Sequence, residues 1–310
     1  MSLNVESLTK QYGEQKAIDD ISFRVEPGEV VGFLGPNGAG KSTTMKILSC
    51  YILPTSGEAS VCGFDIYQES VKVRERIGYL PEHNPLYEEM YIKEYLSFVA
   101  QLHGIRNKKE RIREMIDITG LQAEVHKKIG QLSKGYRQRL GLAQAMIHDP
   151  EVLILDEPTS GLDPNQIVEI REVINELGKE KTVLLSTHIM QEVQAVCNRV
   201  LIINKGQIVA DDEPEDLVER FGGGKRVKVL FKHSVDEADL KKVEGVSSVT
   251  SSGDYWILES QSDADIREKL FSFSVNQNNS ILELSQEEMS LEEIFHQLTA
   301  DQGKETTKNA

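Results

Sequence analysis

The stretch Val30-Val31-Gly32-Phe33-Leu34-Gly35-Pro36-Asn37-Gly38-Ala39-Gly40-Lys41-Ser42-Thr43-Thr44-Met45-Lys46-Ile47-Leu48 decides the fold. Val30 to Leu34 reads as a buried strand and Thr43 to Leu48 as a helix, with a glycine-rich loop between them. Gly35, Pro36, Asn37, Gly38, Ala39, Gly40, Lys41 and Ser42 match the phosphate-loop pattern, whose small residues let consecutive backbone N–H groups wrap phosphates. Lys41 is expected to reach the outer phosphates and the Ser42 hydroxyl to hold Mg²⁺. Thr43 opens the helix, whose positive end faces the anion. The implied ligand is ATP.

Outward from this loop, the rest of the chain bounds the possibilities. At 310 residues it suits one large domain plus a small one, with 39% hydrophobic residues to build cores. A formal charge of −15 argues against a nucleic-acid partner, whose footprint is a basic stripe. No apolar run is long enough to span a bilayer, and Met1-Ser2-Leu3-Asn4-Val5-Glu6 lacks a signal peptide's basic start. The expectation is a cytosolic protein without direct membrane insertion. Cys50, Cys62 and Cys197 have neither metal-ligand nor redox spacing and read as reduced thiols.

Apolar runs alternate with amphipathic helices up to about Phe221, predicting an α/β domain over 1–221 with a mixed, largely parallel core sheet. Val152–Leu155, Val183–Ser186 and Val200–Ile203 are its central strands. Between about 82 and 147 no strand-like run occurs, and Ile92, Leu96 and Val99 recur at helical spacing, which predicts a helical subdomain. Gly222-Gly223-Gly224 reads as a linker, because three glycines hold regular structure only at high entropic cost. A small α+β domain follows over 225–300. Its strands are expected at Arg226–Phe231, Val246–Thr250, Tyr255–Glu259 and Ile281–Leu284, with helices near Glu237–Val243 and Asp263–Leu270. That order, βαββαβ, suggests a ferredoxin-like arrangement. Ser290 with Glu293 forms a capping box for a last helix with an apolar face of Leu291, Ile294, Phe295 and Leu298. The tail, 301–310, is expected to lack fixed structure.

Leu155-Asp156-Glu157 places two carboxylates at the carboxyl end of a strand, where open α/β sheets hold their ligands. Asp156 is the candidate Mg²⁺ ligand and Glu157 the group that polarises the attacking water. His188, just past Ser186-Thr187, is positioned to donate to the γ-phosphate and hold Glu157; the other six histidines read as structural. Ser133 suits the N-cap of a helix whose positive end attracts phosphate, with Gly135 beside it. Together these segments imply ATP hydrolysis.

Leu132-Ser133-Lys134-Gly135-Tyr136-Arg137-Gln138 resembles the signature segment of ATP-binding-cassette (ABC) proteins, usually Leu-Ser-Gly-Gly-Gln, and Ser160-Gly161-Leu162-Asp163 resembles their D-loop. The resemblance covers residues 1 to about 220 in the family's order. It implies that Tyr12 stacks on adenine and that Ser133 and Gly135 bind ATP across a head-to-tail pairing with a second copy. Ser160, Gly161, Leu162 and Asp163 would then lie at the dimer seam. Glu82, in Gly78-Tyr79-Leu80-Pro81-Glu82, stands where most of the family carry glutamine, which implies contact with Mg²⁺ and ATP. With its small C-terminal domain the chain is similar to the ATPase subunits of ABC-2-type exporters. The stretches Gly78–Tyr87 and Gly130–Arg139 are most similar to gliding-motility-associated ATPases. This implies separate ABC-2-type permease subunits as partners and a peripheral place on the cytoplasmic face of the inner membrane. A soluble cassette protein acting on ribosomes or DNA is the alternative, and no long coiled coil separates Lys41 from Ser133 to favour it.

Overall fold

A computed structural model describes residues 1–221, 226–260, 265–287 and 289–300. The chain divides into two compact units, Met1–Pro214 and a second beginning at Glu215.

The first unit starts with a long hairpin, β1 (Leu3–Tyr12) and β2 (Gln15–Val25), turned at Gly13. Alternation of buried Ile21, Phe23 and Val25 with exposed neighbours marks β2 as half-covered. Then come β3 (Val30–Leu34), α1 (Lys41–Leu48), β4 (Ser56–Val61), β5 (Phe64–Asp65), α2 (Ser70–Arg76) and β6 (Ile77–Leu80). Three helices follow, α3 (Ile92–Leu102), α4 (Lys108–Ile118) and α5 (Lys134–Met146), with no named strand between β6 and β7 (Val152–Asp156). The unit ends with α6 (Pro164–Gly178), β8 (Thr182–Thr187), α7 (Met190–Val196), β9 (Arg199–Asn204) and β10 (Gln207–Asp212).

Two sheets result. The first has the order β2-β1-β4-β5 and is antiparallel throughout. The second has the order β10-β9-β3-β8-β7-β6, parallel from β9 to β6 with β10 added antiparallel at one edge. Every residue of β3, β7 and β8 is buried, which is why these strands read as continuous apolar runs. A shared core joins both sheets and α1: Leu3, Val5 and Phe23 from the antiparallel sheet meet Phe33, Ile154, Leu184 and Leu201 from the parallel one, with Met45 and Leu48 from the helix. The Phe23 and Phe33 rings lie 5.7 Å apart.

The second unit carries all but the first residue of the helix α8 (Pro214–Phe221) and then β11 (Arg226–Phe231), α9 (Glu237–Leu240), β12 (Val246–Ser252), β13 (Tyr255–Ser260), α10 (Arg267–Asn276), β14 (Ile281–Glu287) and α11 (Leu291–Thr299). Its sheet has the order β12-β13-β11-β14 with every neighbour antiparallel. Val227, Val229, Phe231, Leu258 and Leu270 form a core of its own. The boundary between units falls after Pro214, the first residue of α8, whereas the glycine run places it after Phe221. The run itself, the residues at 261–264 and the tail from 301 lie outside the described residues. Ser290 closes the expected capping box: its Oγ accepts from the Glu293 N–H at 3.2 Å, and its own N–H donates to the Glu293 carboxylate at 2.9 Å.

Candidate active site

The carboxyl ends of β3, β7 and β8 are neighbours in the parallel sheet, so the residues that follow each strand are brought together. After β3 comes the phosphate loop. Gly38 (φ 80°) and Gly40 (φ 118°) adopt left-handed backbone, and a Cβ on Gly40 would stand 2.6 Å from the Ala17 carbonyl. Glycine is required there on both counts. Lys41 is buried, and its ammonium donates to the Gly35 carbonyl at 2.7 Å and lies 3.3 Å from Glu157 Oε1.

After β7, Asp156 and Glu157 take different surroundings. Asp156 accepts from Ser42 Oγ at 3.0 Å and from Ser186 Oγ at 2.6 Å. Glu157 has φ 50°, an uncommon conformation for a side-chain-bearing residue. Its N–H is held by the Ser186 carbonyl at 3.2 Å and Ser186 Oγ at 3.0 Å. That turn aims the carboxylate between two groups, Lys41 on Oε1 and His188 on Oε2, the latter 2.9 Å from His188 Nδ1. The His188 side chain stays 46% exposed, so the imidazole has one edge on the buried carboxylate and the rest toward solvent.

Asn37, Gly38, Gly40, Lys41, Ser42 and Thr43 line one cavity of about 360 Å³ together with Glu82, Glu157, Ser160 and His188. Gly35, Pro36 and Ala39 shape the loop without lining the cavity, and Asp156 lies buried behind Ser42. The oxygens of Ser42, Asp156 and Glu82 are a hard donor set suited to Mg²⁺, and they fit such an ion. Tyr12 sits elsewhere: it is exposed at the end of β1, with the Lys10 ammonium 5.1 Å from its ring centre. Ser133 and Gly135 do not line the cavity either. Ser133 caps α5, its Oγ accepting from the Tyr136 N–H. Gly135 is packed against α6, where a Cβ would lie 2.6 Å from the Gln166 amide. Asp163 caps α6 with Pro164 in its first turn, and Gly161 (φ 67°) lies under the Lys134 ammonium.

Sequence reasoning missed three contributors. Ala17, on β2, lines the cavity. Ser186 bonds both carboxylate residues, and a hydroxyl in the run Val-Leu-Leu-Ser was its only signal. Glu192 is 1% exposed and accepts from Thr159 and from Thr187 Oγ1, the latter at 2.6 Å. This ties the loop after β7 to the end of β8 through α7.

A phosphate loop on β3, paired carboxylates on β7 and a histidine on β8 define a P-loop ATPase, and its helical insertion narrows the class further. The chain belongs to the ABC transporter ATP-binding family. The family model described as ABC transporter matches residues 18–160. The linearmycin resistance ATP-binding protein LnrL of Bacillus subtilis is 34% identical over 310 residues, spanning 96% of this chain and 98% of that protein. The bacitracin transport ATP-binding protein BcrA of Bacillus licheniformis is 41% identical over 215 residues, covering 69% of this chain and 70% of that one. A solved ATP-binding subunit of an ABC transporter superposes with TM-score 0.66 at 32% identity, over 72% of this chain and 94% of that one. A dimeric bacterial ABC transporter cassette does so with TM-score 0.63 at 25% identity, over 68% of this chain and 98% of that one. The protein is thus an ABC ATPase, and no helix among the described residues is long and apolar enough to cross a membrane.

Proposed function

We propose that this chain is the ATP-hydrolysing subunit of an ABC-2-type exporter, held at the cytoplasmic face of the cell membrane by separate permease subunits. The observation that carries it is the convergence of Lys41, Glu157 and His188 on one cavity from which Ser133 and Gly135 are absent. One chain therefore supplies the phosphate loop of one site and the signature residues of another. Two copies paired head to tail complete both, with Ser160, Gly161, Leu162 and Asp163 at the seam.

Within a completed site, Lys41 exchanges its contact with Glu157 for the outer phosphates, which frees the Glu157 carboxylate to polarise water. His188 holds that carboxylate and donates to the γ-phosphate from its exposed side. Ser42, Asp156 and Glu82 are the residues to hold Mg²⁺, which neutralises charge on the phosphoryl oxygens. Tyr12, at the far end of β1, is the ring to cover adenine.

The export assignment is supported by likeness to LnrL over nearly the whole of both chains, including the second unit, and by the transport function in the name of BcrA. A gliding-motility role rests on the stretches Gly78–Tyr87 and Gly130–Arg139 alone and would use the same ATPase face. Affinity purification of the tagged full chain from gently solubilised membranes tests the reading. A polytopic permease co-purifying in stoichiometric amount is expected. Recovery of ribosomal proteins or DNA instead would overturn it.

A further inference from the structure

On α3 and α4, outside the nucleotide site, lies a second cavity, of about 510 Å³. Its apolar lining is Ile112 and Ile116 of α4, 8% and 5% exposed, with Val125 beyond them. Its charged lining is Lys93 of α3 and Lys109 and Arg113 of α4, all exposed. Ser97 and Gln122 are the neutral polar residues. No carboxylate lines it, in a chain with 50 acidic against 35 basic residues.

The cations are also unspent. Several basic residues nearby are paired, Arg111 with Glu114 at 2.8 Å, Lys127 with Glu124 at 2.6 Å and Lys128 with Glu89 at 2.9 Å, while Lys108 donates to the Gln101 amide oxygen at 3.3 Å. Lys93, Lys109 and Arg113 have no acidic partner among the described residues. Lys109 and Arg113 stand four apart on one helix, a spacing at which like charges repel and weaken the helix. An anion bound between them would relieve that repulsion. The apolar floor specifies the rest of the ligand: it must be amphipathic.

We propose that this cavity binds the head group of an anionic phospholipid. The phosphate sits among Lys93, Lys109 and Arg113, with Arg113 offering a bidentate fork, while the glycerol and first methylenes rest on Ile112, Ile116 and Val125. The inference rests on the reading of the chain as a subunit working at a membrane, and it gives the subunit a bilayer contact separate from its permease. A lipid suits the observations better than a nucleic acid, because the cations ring one apolar-floored cavity and do not run as a stripe along a groove. Since the whole chain carries −15, the contact must be local and sensitive to salt.

Flotation of the purified full-length protein with vesicles of phosphatidylcholine, alone or mixed with phosphatidylglycerol, is the test. Binding only to the mixed vesicles, weakened by salt, is expected. Each cation near an anionic surface contributes about five-fold, so the triple variant Lys93→Gln, Lys109→Gln, Arg113→Gln should bind roughly a hundred-fold more weakly. Its ATPase activity should stay at the wild-type value and its melting temperature should not fall, since the repulsion between positions 109 and 113 is removed. Ser97→Trp fills the cavity with every charge intact and should also abolish flotation; if it floats like wild type, the surface is merely basic and the site is overturned. Capture of dodecyl phosphate monomers without vesicle binding, or loss of RNA binding in the triple variant without vesicle binding, would overturn the lipid assignment. A permease that co-purifies with a chain unable to bind mixed vesicles would leave the transporter reading standing and remove this one.

Discussion

Replacing Glu157 by Gln removes one negative charge from a site in which two neighbours depend on it. Lys41 Nζ is 3.3 Å from one carboxylate oxygen and His188 Nδ1 is 2.9 Å from the other, and the Lys41 and Glu157 side chains are 5% and 8% exposed. Removing one member of a buried pair costs about 3–5 kcal/mol when the survivor is left without partners. Lys41 keeps the Gly35 carbonyl at 2.7 Å and the Pro36 carbonyl at 3.4 Å, and glutamine keeps an amide oxygen, so about 2 kcal/mol is the expected loss. For a unit of this size that corresponds to a fall of roughly 4–8 °C in melting temperature without nucleotide. Phosphates then supply the missing counter-charge, so nucleotide should raise the melting temperature more in the variant than in the wild type. Loss of a general base lowers turnover by about 10²–10⁴-fold, equivalent to about 3–5 kcal/mol in the barrier. Phosphate release at saturating MgATP and paired melts with and without nucleotide give both numbers. Turnover within ten-fold of wild type would remove Glu157 from the chemistry. A lower melting temperature with no extra nucleotide stabilisation would show that Lys41 does not exchange Glu157 for phosphate.

Two further outcomes follow from packing and burial. Gly78→Ala puts a Cβ 2.2 Å from the Ala145 carbonyl and 2.8 Å from Leu153 Cδ2, so thermal melts should register a loss of about 3 kcal/mol, as for other overpacked cores, with the KM for ATP unchanged in the surviving folded fraction; a wild-type melt would contradict the packing. His148 lies against the Ile77 carbonyl at 2.8 Å, its Nδ1 is buried without a partner, and its ring stacks on His103 at 4.1 Å. Burial, helped by the charge of His103, lowers its pKa to about 4. The neutral form is the folded form, so its stabilisation is full above the unfolded value near 6.5 and is lost as pH falls from there through about 4. Melting temperature followed across that window should fall less steeply in His148→Gln, and parallel curves would remove His148 as a cause of acid sensitivity.

What was legible in the sequence and what was not divides along one physical line. Gly38 and Gly40 announce themselves because left-handed backbone selects glycine locally. Asp156, Glu157 and His188 stand out because polar residues interrupt or end apolar strands, and strand ends in such sheets converge. The Glu192 network escapes because its contacts join Thr159, in the turn after β7, to a residue 33 positions away on α7, and no local pattern distinguishes a buried glutamate in a first helical turn from a solvated one. Ala17 escapes for a related reason: nothing in an alanine on a strand signals that β2 borders the phosphate loop. The antiparallel hairpin was open to reading in the alternation of Ile21, Phe23 and Val25, but the dominant βα rhythm downstream drew the expectation to the parallel sheet. The boundary at the start of α8, after Pro214, was obscured by the glycine run, since a flexible tripeptide marks where a chain is free to bend and not where packing ends.

The left-handed turn at Glu157 connects these observations. A side chain with φ 50° holds an unfavourable backbone conformation, at a cost of about 1–3 kcal/mol, and such a conformation persists only when its surroundings over-determine it. Here they do, because both the carbonyl and the hydroxyl of Ser186 accept from the Glu157 N–H, while the same hydroxyl donates to Asp156. One serine thus fixes the backbone of one carboxylate and the side chain of the other. Glycine at 157 would relieve the strain and lose the carboxylate. An extended conformation would keep the carboxylate and turn it away from Lys41 and His188. The strained turn is the arrangement that presents a buried carboxylate to both at once, and the buried Glu192, bonded to Thr159 beside that turn and to Thr187 beside His188, braces the two segments against each other.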